Sequence, residues 1–392
     1  MVMDASAIRQ WKSEGRNRLK AELDPVVAGA LDERRIVGTV VEILIDGEPA
    51  YRCAAGFADR EAGRPMTRDS IFLLSSVAKP IVTVAALSLV QSGKIGLDDA
   101  VSDWLPAFRP RLPDGRGPRI TIRQLLTHSA GLSYVFTEQG NGPYHRHAIS
   151  SGLDDTDDDF PALIDKLSDT PLSYPPGKGW GYSMGLDVLG AVIEQVTTSK
   201  LPEAITALVT GPLAMDDTAF SVTDTARLVT HYGDGSRQPR RLAGDDAVPF
   251  FGNPVRFSPG RILNPRAFPS SGAGMAGTAG DVIRLLESLK AGHSPVLDDA
   301  TARSMFDIQA RTGGLASGPG WEFGFGGAVL VEPEIAGTPQ SRGTLQWDGA
   351  YGHKWFVDPA RGLTVVALTN TAFEGMNGRF PVDLRDAIYR GL

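Results

Sequence analysis

The sequence predicts an α+β fold, with one antiparallel sheet built from both chain ends, flanked by helices, and a mainly helical inserted domain. Three observations carry this expectation. Strand-like runs stand near the start, at 38–45 and 50–58, around the turn Asp46-Gly47-Glu48-Pro49. Strand-like runs return near the end, at 324–331, 342–346, 353–357 and 363–369. Helical patterns and long Gly- and Pro-rich loops fill the middle. The expected division is an α/β domain of residues 1–80 and 265–392 and a helical domain with pocket-forming loops of residues 81–264.

The elements follow in order. An amphipathic helix is expected over 7–32, broken near Pro25. The apolar run Ile71-Phe72-Leu73-Leu74 leads into Ser75-Ser76, and 81–91 reads as a helix stopped by Gly93. A short helix over 120–126 ends in Thr127-His128-Ser129-Ala130-Gly131-Leu132. Residues 133–180 lack periodicity and suit pocket-forming loops. Helices are expected at 186–197, at 281–291 with Thr278 or Asp281 as cap, and at 381–390, whereas 232–270 reads as Gly-, Pro- and Arg-rich loop.

Composition narrows the class. The 392 residues are 42% hydrophobic and 22% charged, ordinary values for a globular protein that buries a core. A net charge of −7 with no basic stripe argues against nucleic acid as a partner. The run Asp154-Asp155-Thr156-Asp157-Asp158-Asp159 lacks the glycine and the closing glutamate of a calcium loop and reads as solvated. Cys53, the single cysteine, excludes an internal disulfide and suits a small buried position in a strand. The first twenty residues are charged throughout, and no apolar run approaches roughly 18 residues, so the expectation is no secretory signal, no membrane and a cytoplasmic location.

The chemistry is concentrated in Ser76-Val77-Ala78-Lys79. On a helix this spacing puts serine and lysine on one face. A serine hydroxyl needs a base, and a lysine serves only where burial or nearby cations make it give up its proton. Chance alone nearly supplies such a pair in a chain of this length, so its weight comes from placement. The run 71–86 is apolar except for Ser75, Ser76, Lys79 and Thr83. A lysine in the first turn also opposes the helix dipole, a cost that points to function.

Gly181-Tyr182-Ser183-Met184-Gly185 offers a rival serine in the pattern of a nucleophile elbow. That elbow needs a preceding buried strand, and 173–180 is instead a loop containing Pro175 and Pro176. Tyr182 is the more informative residue, because a phenol beside a cation can relay a proton. His353 is the one candidate triad histidine for Ser183, and His128 suits a turn-fixing hydrogen bond. His145-Arg146-His147 lacks a companion carboxylate for a metal. Trp347-Asp348-Gly349-Ala350 reads as a tight turn closing a strand, whose end could offer a backbone N–H to an oxyanion together with that of Ser76.

Taken in order, Ser76-Val77-Ala78-Lys79, Tyr182 and Trp347-Asp348-Gly349 resemble the serine β-lactamase and penicillin-binding-protein superfamily. Residues 125–132 and Ser271-Gly272-Ala273-Gly274-Met275 are similar to stretches of its class C-like branch, and the resemblance spans about residues 30–385. Within it the chain looks most like the family VIII carboxylesterases, which keep the Ser-x-x-Lys and Tyr but often lose the lysine of the Lys-Thr-Gly motif. Here Trp347 stands in that lysine's place and Met184 where β-lactamases carry asparagine. Both departures, with the carboxylate of Asp348, disfavour an anionic β-lactam and favour a neutral ester.

The resemblance implies a β-lactamase-like fold and an acyl-enzyme on Ser76, with Lys79 and Tyr182 as general base and acid. It implies an oxyanion hole from the N–H groups of Ser76 and Ala350. Tyr134, Trp180, Trp347 and Gly349 are the candidate substrate-binding residues, the partner is a small-molecule ester, and no metal or organic cofactor is implied. The open alternatives are a β-lactamase or D-amino-acid peptidase or amidase, an acyltransferase using the same acyl-enzyme, and a non-catalytic penicillin-recognising domain. Oligomeric state stays open.

Overall fold

The computed structural model describes residues 5–392 apart from 251, 252, 291 and 293. Helix α1 (Ala5–Asp32) runs straight through Pro25, where a break was expected. Pro25 is exposed while Leu23 and Val27 are buried, so the carbonyl it leaves unpaired faces water and core packing holds the helix together.

Strands β1 (Gly38–Ile45), β2 (Glu48–Asp59) and β3 (Arg64–Pro65) follow. A short strand β4 (Phe72–Leu73) precedes the 3-10 turn Ser75–Val77 and helix α2 (Ala78–Gln91). Helix α3 (Ile122–Leu126) opens with Thr121 and Gln124 in a reciprocal capping box. Helix α4 (Gly185–Thr197), strand β5 (Ala276–Gly277) and helix α5 (Ala279–Ser288, capped by Thr278) lead to the C-terminal part. There lie β6 (Trp321–Phe323), β7 (Ala328–Leu330), β8 (Leu345–Gly349), β9 (His353–Asp358), β10 (Leu363–Thr369) and helix α6 (Arg379–Gly391).

The main sheet has eight strands in the order β6-β7-β8-β9-β10-β1-β2-β3. The last strand therefore pairs with the first, antiparallel from Thr39 opposite Thr369 to Ile45 opposite Leu363. Both faces are buried, and residues sort between them with the pleat. Leu363, Val365 and Ala367 pack with Val41 and Ile43 under Leu19, Leu23 and Val27 of α1 and Leu384 and Ile388 of α6. Val366 and Leu368 face the other way, into the large core that holds α5 and the largely apolar α2, in which Lys79 is a buried charge.

Three further differences from the sequence reading have local causes. The strand expected at 324–331 is a hairpin, because Gly324 N–H bonds Gly327 O and Gly326 takes a left-handed φ of 82°. The strand expected to stop at Gln346 runs on to Gly349, paired Trp347 to Trp355 and Gly349 to His353, so the Trp347 motif is strand and the turn follows it. Inside 232–270, read as loop, Asp246–Phe250 and Asn253–Phe257 form a hairpin. Among the described residues no helix is long and apolar enough to cross a membrane.

Candidate active site

The residues before Ser76 are held from several sides. Strand β4 pairs with β5, and Leu74 N–H bonds Met275 O at 2.8 Å. The Leu73 peptide is clamped by two imidazoles: its N–H donates to His231 Nε2 at 3.2 Å, and His353 Nε2 meets its carbonyl at 2.8 Å. Burial lowers the first imidazole to a pKa of about 3 and the second to about 4, so both stay neutral. Ser75 then takes a left-handed φ of 45°, unusual for a residue with a Cβ, and its hydroxyl accepts from Tyr351 N–H at 3.3 Å. This bend delivers Ser76 to the head of α2, half-exposed, with Lys79 buried one turn on.

Ser76 and Lys79, one turn apart, meet the distant Tyr182 there. Lys79 Nζ donates to Ser76 Oγ at 3.2 Å and to Gly272 O at 2.7 Å. Tyr182 O–H donates to the same Ser76 Oγ at 2.6 Å. The ammonium lies 4.7 Å from the Tyr182 ring centroid, and Trp347 Nε1 reaches the Tyr182 oxygen at 3.4 Å. Ser76, Tyr182, Trp180, Trp347 and Ala350 all line one cavity of about 600 Å³.

The remaining candidates fall elsewhere. Tyr134 is buried behind Lys79, its ring centroid 5.4 Å from the ammonium, and lies outside the cavity lining. Gly349 is buried against the segment that precedes Ser76, where a Cβ would come within 2.7 Å of Leu74 O and 2.8 Å of Ser75 Oγ. A glycine there lets β8 close on the 74–76 segment and sets Ala350 beside Ser76. Ser183 is fully buried, its N–H and hydroxyl 3.3 and 3.2 Å from His128 Nδ1. Burial, with the charge of Lys79 adding to it, holds His128 well below the usual imidazole range. His353 is spent on Leu73, so Ser183 has no triad.

Two polar residues escaped the sequence reading. Asp187, fully buried on α4, accepts from Ser270 Oγ at 2.6 Å and from Gly272 N–H at 3.2 Å through one oxygen. Its other oxygen and the Tyr134 hydroxyl lack partners among the described residues, and both converge with Lys79 Nζ on the bare face of Gly272. Burial pushes the Asp187 carboxyl up; the Ser270 hydroxyl, Lys79 and the Gly272 N–H pull it back. A lone acid in the apolar run Gly185-Leu186-Asp187-Val188-Leu189 was the available signal. The second is Lys354, opposite Asp348 across β8 and β9 and ion-paired with it. The repulsion expected of Asp348 toward an anion is thereby offset.

Esterase EstB of Burkholderia gladioli is 50% identical over 377 residues, covering 95% of each chain. The solved structure of EstCE1, described as a hydrolase with promiscuous acyltransferase activity, superposes with a TM-score of 0.94 at 44% identity, over 95% of this chain and 99% of that one. Unliganded simvastatin synthase (LovD) of Aspergillus terreus shares the fold alone, with a TM-score of 0.72 at 21% identity over 95% and 98%. The family profile described as Beta-lactamase matches residues 23–387. With that profile spanning nearly the whole folded chain, and a relative 50% identical over 95% of it, the protein belongs to the Beta-lactamase family.

Proposed function

We propose that this protein is a serine carboxylesterase that hydrolyses small neutral esters through an acyl-enzyme on Ser76. The observation that carries the reading is the convergence of Lys79 Nζ and Tyr182 O–H on one hydroxyl at the edge of an aromatic-walled cavity. In the reactive form the Lys79–Tyr182 pair is one proton short, with either the amine or the phenol oxygen unprotonated, and Ser76 Oγ attacks the ester carbonyl as its proton passes to that free site. The pair then passes that proton to the departing alkoxide, which leaves as the alcohol. The N–H groups of Ser76 and Ala350 stabilise the oxyanion, helped by the positive end of α2. Water, losing a proton to the same pair, attacks the acyl group; Ser76 is released with its proton restored and the carboxylic acid departs.

Trp347 and the paired Asp348 leave this wall without a free cation for a β-lactam carboxylate, and buried Met184 offers no amide for its side chain. Both support an ester over an antibiotic. The relatives agree: one is named an esterase and another a hydrolase. Mass spectrometry after a fluorophosphonate probe tests the nucleophile. Label on Ser76, with p-nitrophenyl acetate cleaved far faster than a chromogenic cephalosporin, is expected; label on Ser183, or preference for the cephalosporin, overturns the reading.

A second reading rests on the description of EstCE1 as promiscuous in acyl transfer. An alcohol that reaches the acyl-enzyme ahead of water yields a new ester, measurable as transesterification product when an alcohol acceptor is added.

A further inference from the structure

A second cavity of about 590 Å³ lies behind the catalytic backbone. Leu73, Ala273 and Tyr351 line it, each close in sequence to a residue of the Ser76 site, whereas Ser76, Lys79 and Tyr182 do not. Leu153 lines both cavities and stands between them. The volume falls within the range of small-molecule sites, and most of the lining is apolar.

The informative residue is Arg261, whose side chain lines this cavity although only 7% of the residue is exposed. Buried guanidinium groups are normally paired with a carboxylate, because an unpaired charge away from water is costly. Here Nη1 donates to Asp154 O at 3.2 Å, Nη2 to Phe268 O at 2.8 Å, and the group lies 4.7 Å from the Phe268 ring centroid. Among the described residues no carboxylate pairs with it, and at most part of its five-donor fork is used. Asp154, close in space, turns one carboxylate oxygen to Ser151. Beside Arg261 in the lining is Ser258, 5% exposed, whose hydroxyl has no partner among the described residues. The two acids of the lining already have N–H partners: Asp159 caps the helix Phe160–Ser168 and Glu194 accepts from Leu201 N–H.

We propose that this second cavity binds an amphiphilic monocarboxylate, with its carboxylate on Arg261 and Ser258 and its aliphatic body among Phe160, Ile205, Phe220 and Phe268. Asp154, Asp187 and Asp155 act on the guanidinium only through space, without an ion pair, so a bound carboxylate supplies the directly paired countercharge and accepts the unused donors in a fork geometry. The apolar lining holds the tail and leaves its own peptide groups undisturbed. Tight binding there touches the strand, loop and turn that carry the Ser76 site, so occupancy reports on the same backbone. The assignment stands whether or not the Ser76 pocket cleaves esters.

Crystals of the full chain soaked in 8-bromooctanoate, together with calorimetric titration of octanoate and octan-1-ol, test it. Anomalous bromine signal is expected in the second cavity. Octanoate is expected to bind at least tenfold more tightly than octan-1-ol, and Arg261→Gln is expected to remove that difference. Arg261→Gln removes buried hydrogen bonds and can fail to fold; Ala219→Trp, at an exposed position of the lining, obstructs part of the cavity and is expected to weaken octanoate binding at least tenfold by itself. Bromine confined to the Ser76 pocket, octanoate binding unchanged in Ala219→Trp, equal affinity for the alcohol, or no binding at all overturns the proposal.

Discussion

At the scale of single residues, the site is a set of distances that substitutions will separate. Ser76→Ala is expected to lower kcat for p-nitrophenyl acetate by about 10⁴-fold or more, whereas Ser183→Ala leaves it within a few-fold. Asp187→Asn is the sharper test of the buried shell. An amide fits the space and its oxygen can keep the bonds from Ser270 and Gly272, but it removes the negative charge near Lys79 and sets an NH2 donor where the unpartnered oxygen faced Lys79 and Tyr134. We expect kcat to fall about tenfold or more with KM little changed and the melting temperature near that of the parent, read from full kinetics and thermal denaturation.

The residues legible in the sequence were those whose type was anomalous for their surroundings. Lys79 stood out as a charge in an apolar helix, and Tyr182 was singled out beside the rival serine. Asp187 carries the same signal as Lys79, a lone charge in an apolar run, but no neighbouring motif marks it, and its partners Ser270 and Gly272 lie more than eighty residues away. Lys354 was not legible at all: its pairing with Asp348 depends on the register of β8 against β9, which no local pattern states.

At the scale of elements, strand β4 is a peptide fixed by neutral imidazoles, and this makes it sensitive to acid. His231 and His353 have folded pKa values of about 3 and about 4, both below the ordinary value of 6.5. Below pH 6.5 the unfolded chain binds protons that the folded chain refuses, so stability is full above that pH and falls as pH drops toward 4. Each imidazole contributes a slope of up to about 1.4 kcal/mol per pH unit in that window. Denaturant titrations at pH 7.5, 6 and 5 are expected to show the loss, with a shallower slope in His231→Asn; an equal slope in that variant would contradict the clamp. Element types were readable from period and turn residues. Their ends were not, as Pro25 and the extension of β8 to Gly349 show: in both cases tertiary packing outweighed the local signal.

At the scale of the molecule, the sheet takes strands from both chain ends, and both faces are covered. That plan was readable because strand patterns stood at both ends with helices between them. The order β9-β10-β1-β2 was not, since it rests on pairing across more than three hundred residues of sequence. Helix α6 buries Phe380, Leu384 and Ile388 against Leu363, Val365 and Leu23. Removing residues 379–392 uncovers that face, and we expect loss of the cooperative thermal transition and rapid limited proteolysis, even though α6 lies outside the Ser76 cavity apart from Pro381, Val382 and Arg385 at its edge.

The pairing of β10 with β1 also has a consequence in time. A ribosome delivers Ser76 and Lys79 early, yet one side of β1 stays an open edge until residues 363–369 emerge, more than three hundred residues later. The growing polypeptide must carry the apolar Gly38–Ile45 and Ala78–Gln91 segments without their final partners through most of its synthesis. Until then the unpaired side of β1 is open to other chains, and co-expressed chaperones are expected to raise the yield of active protein without changing the stability of the finished fold.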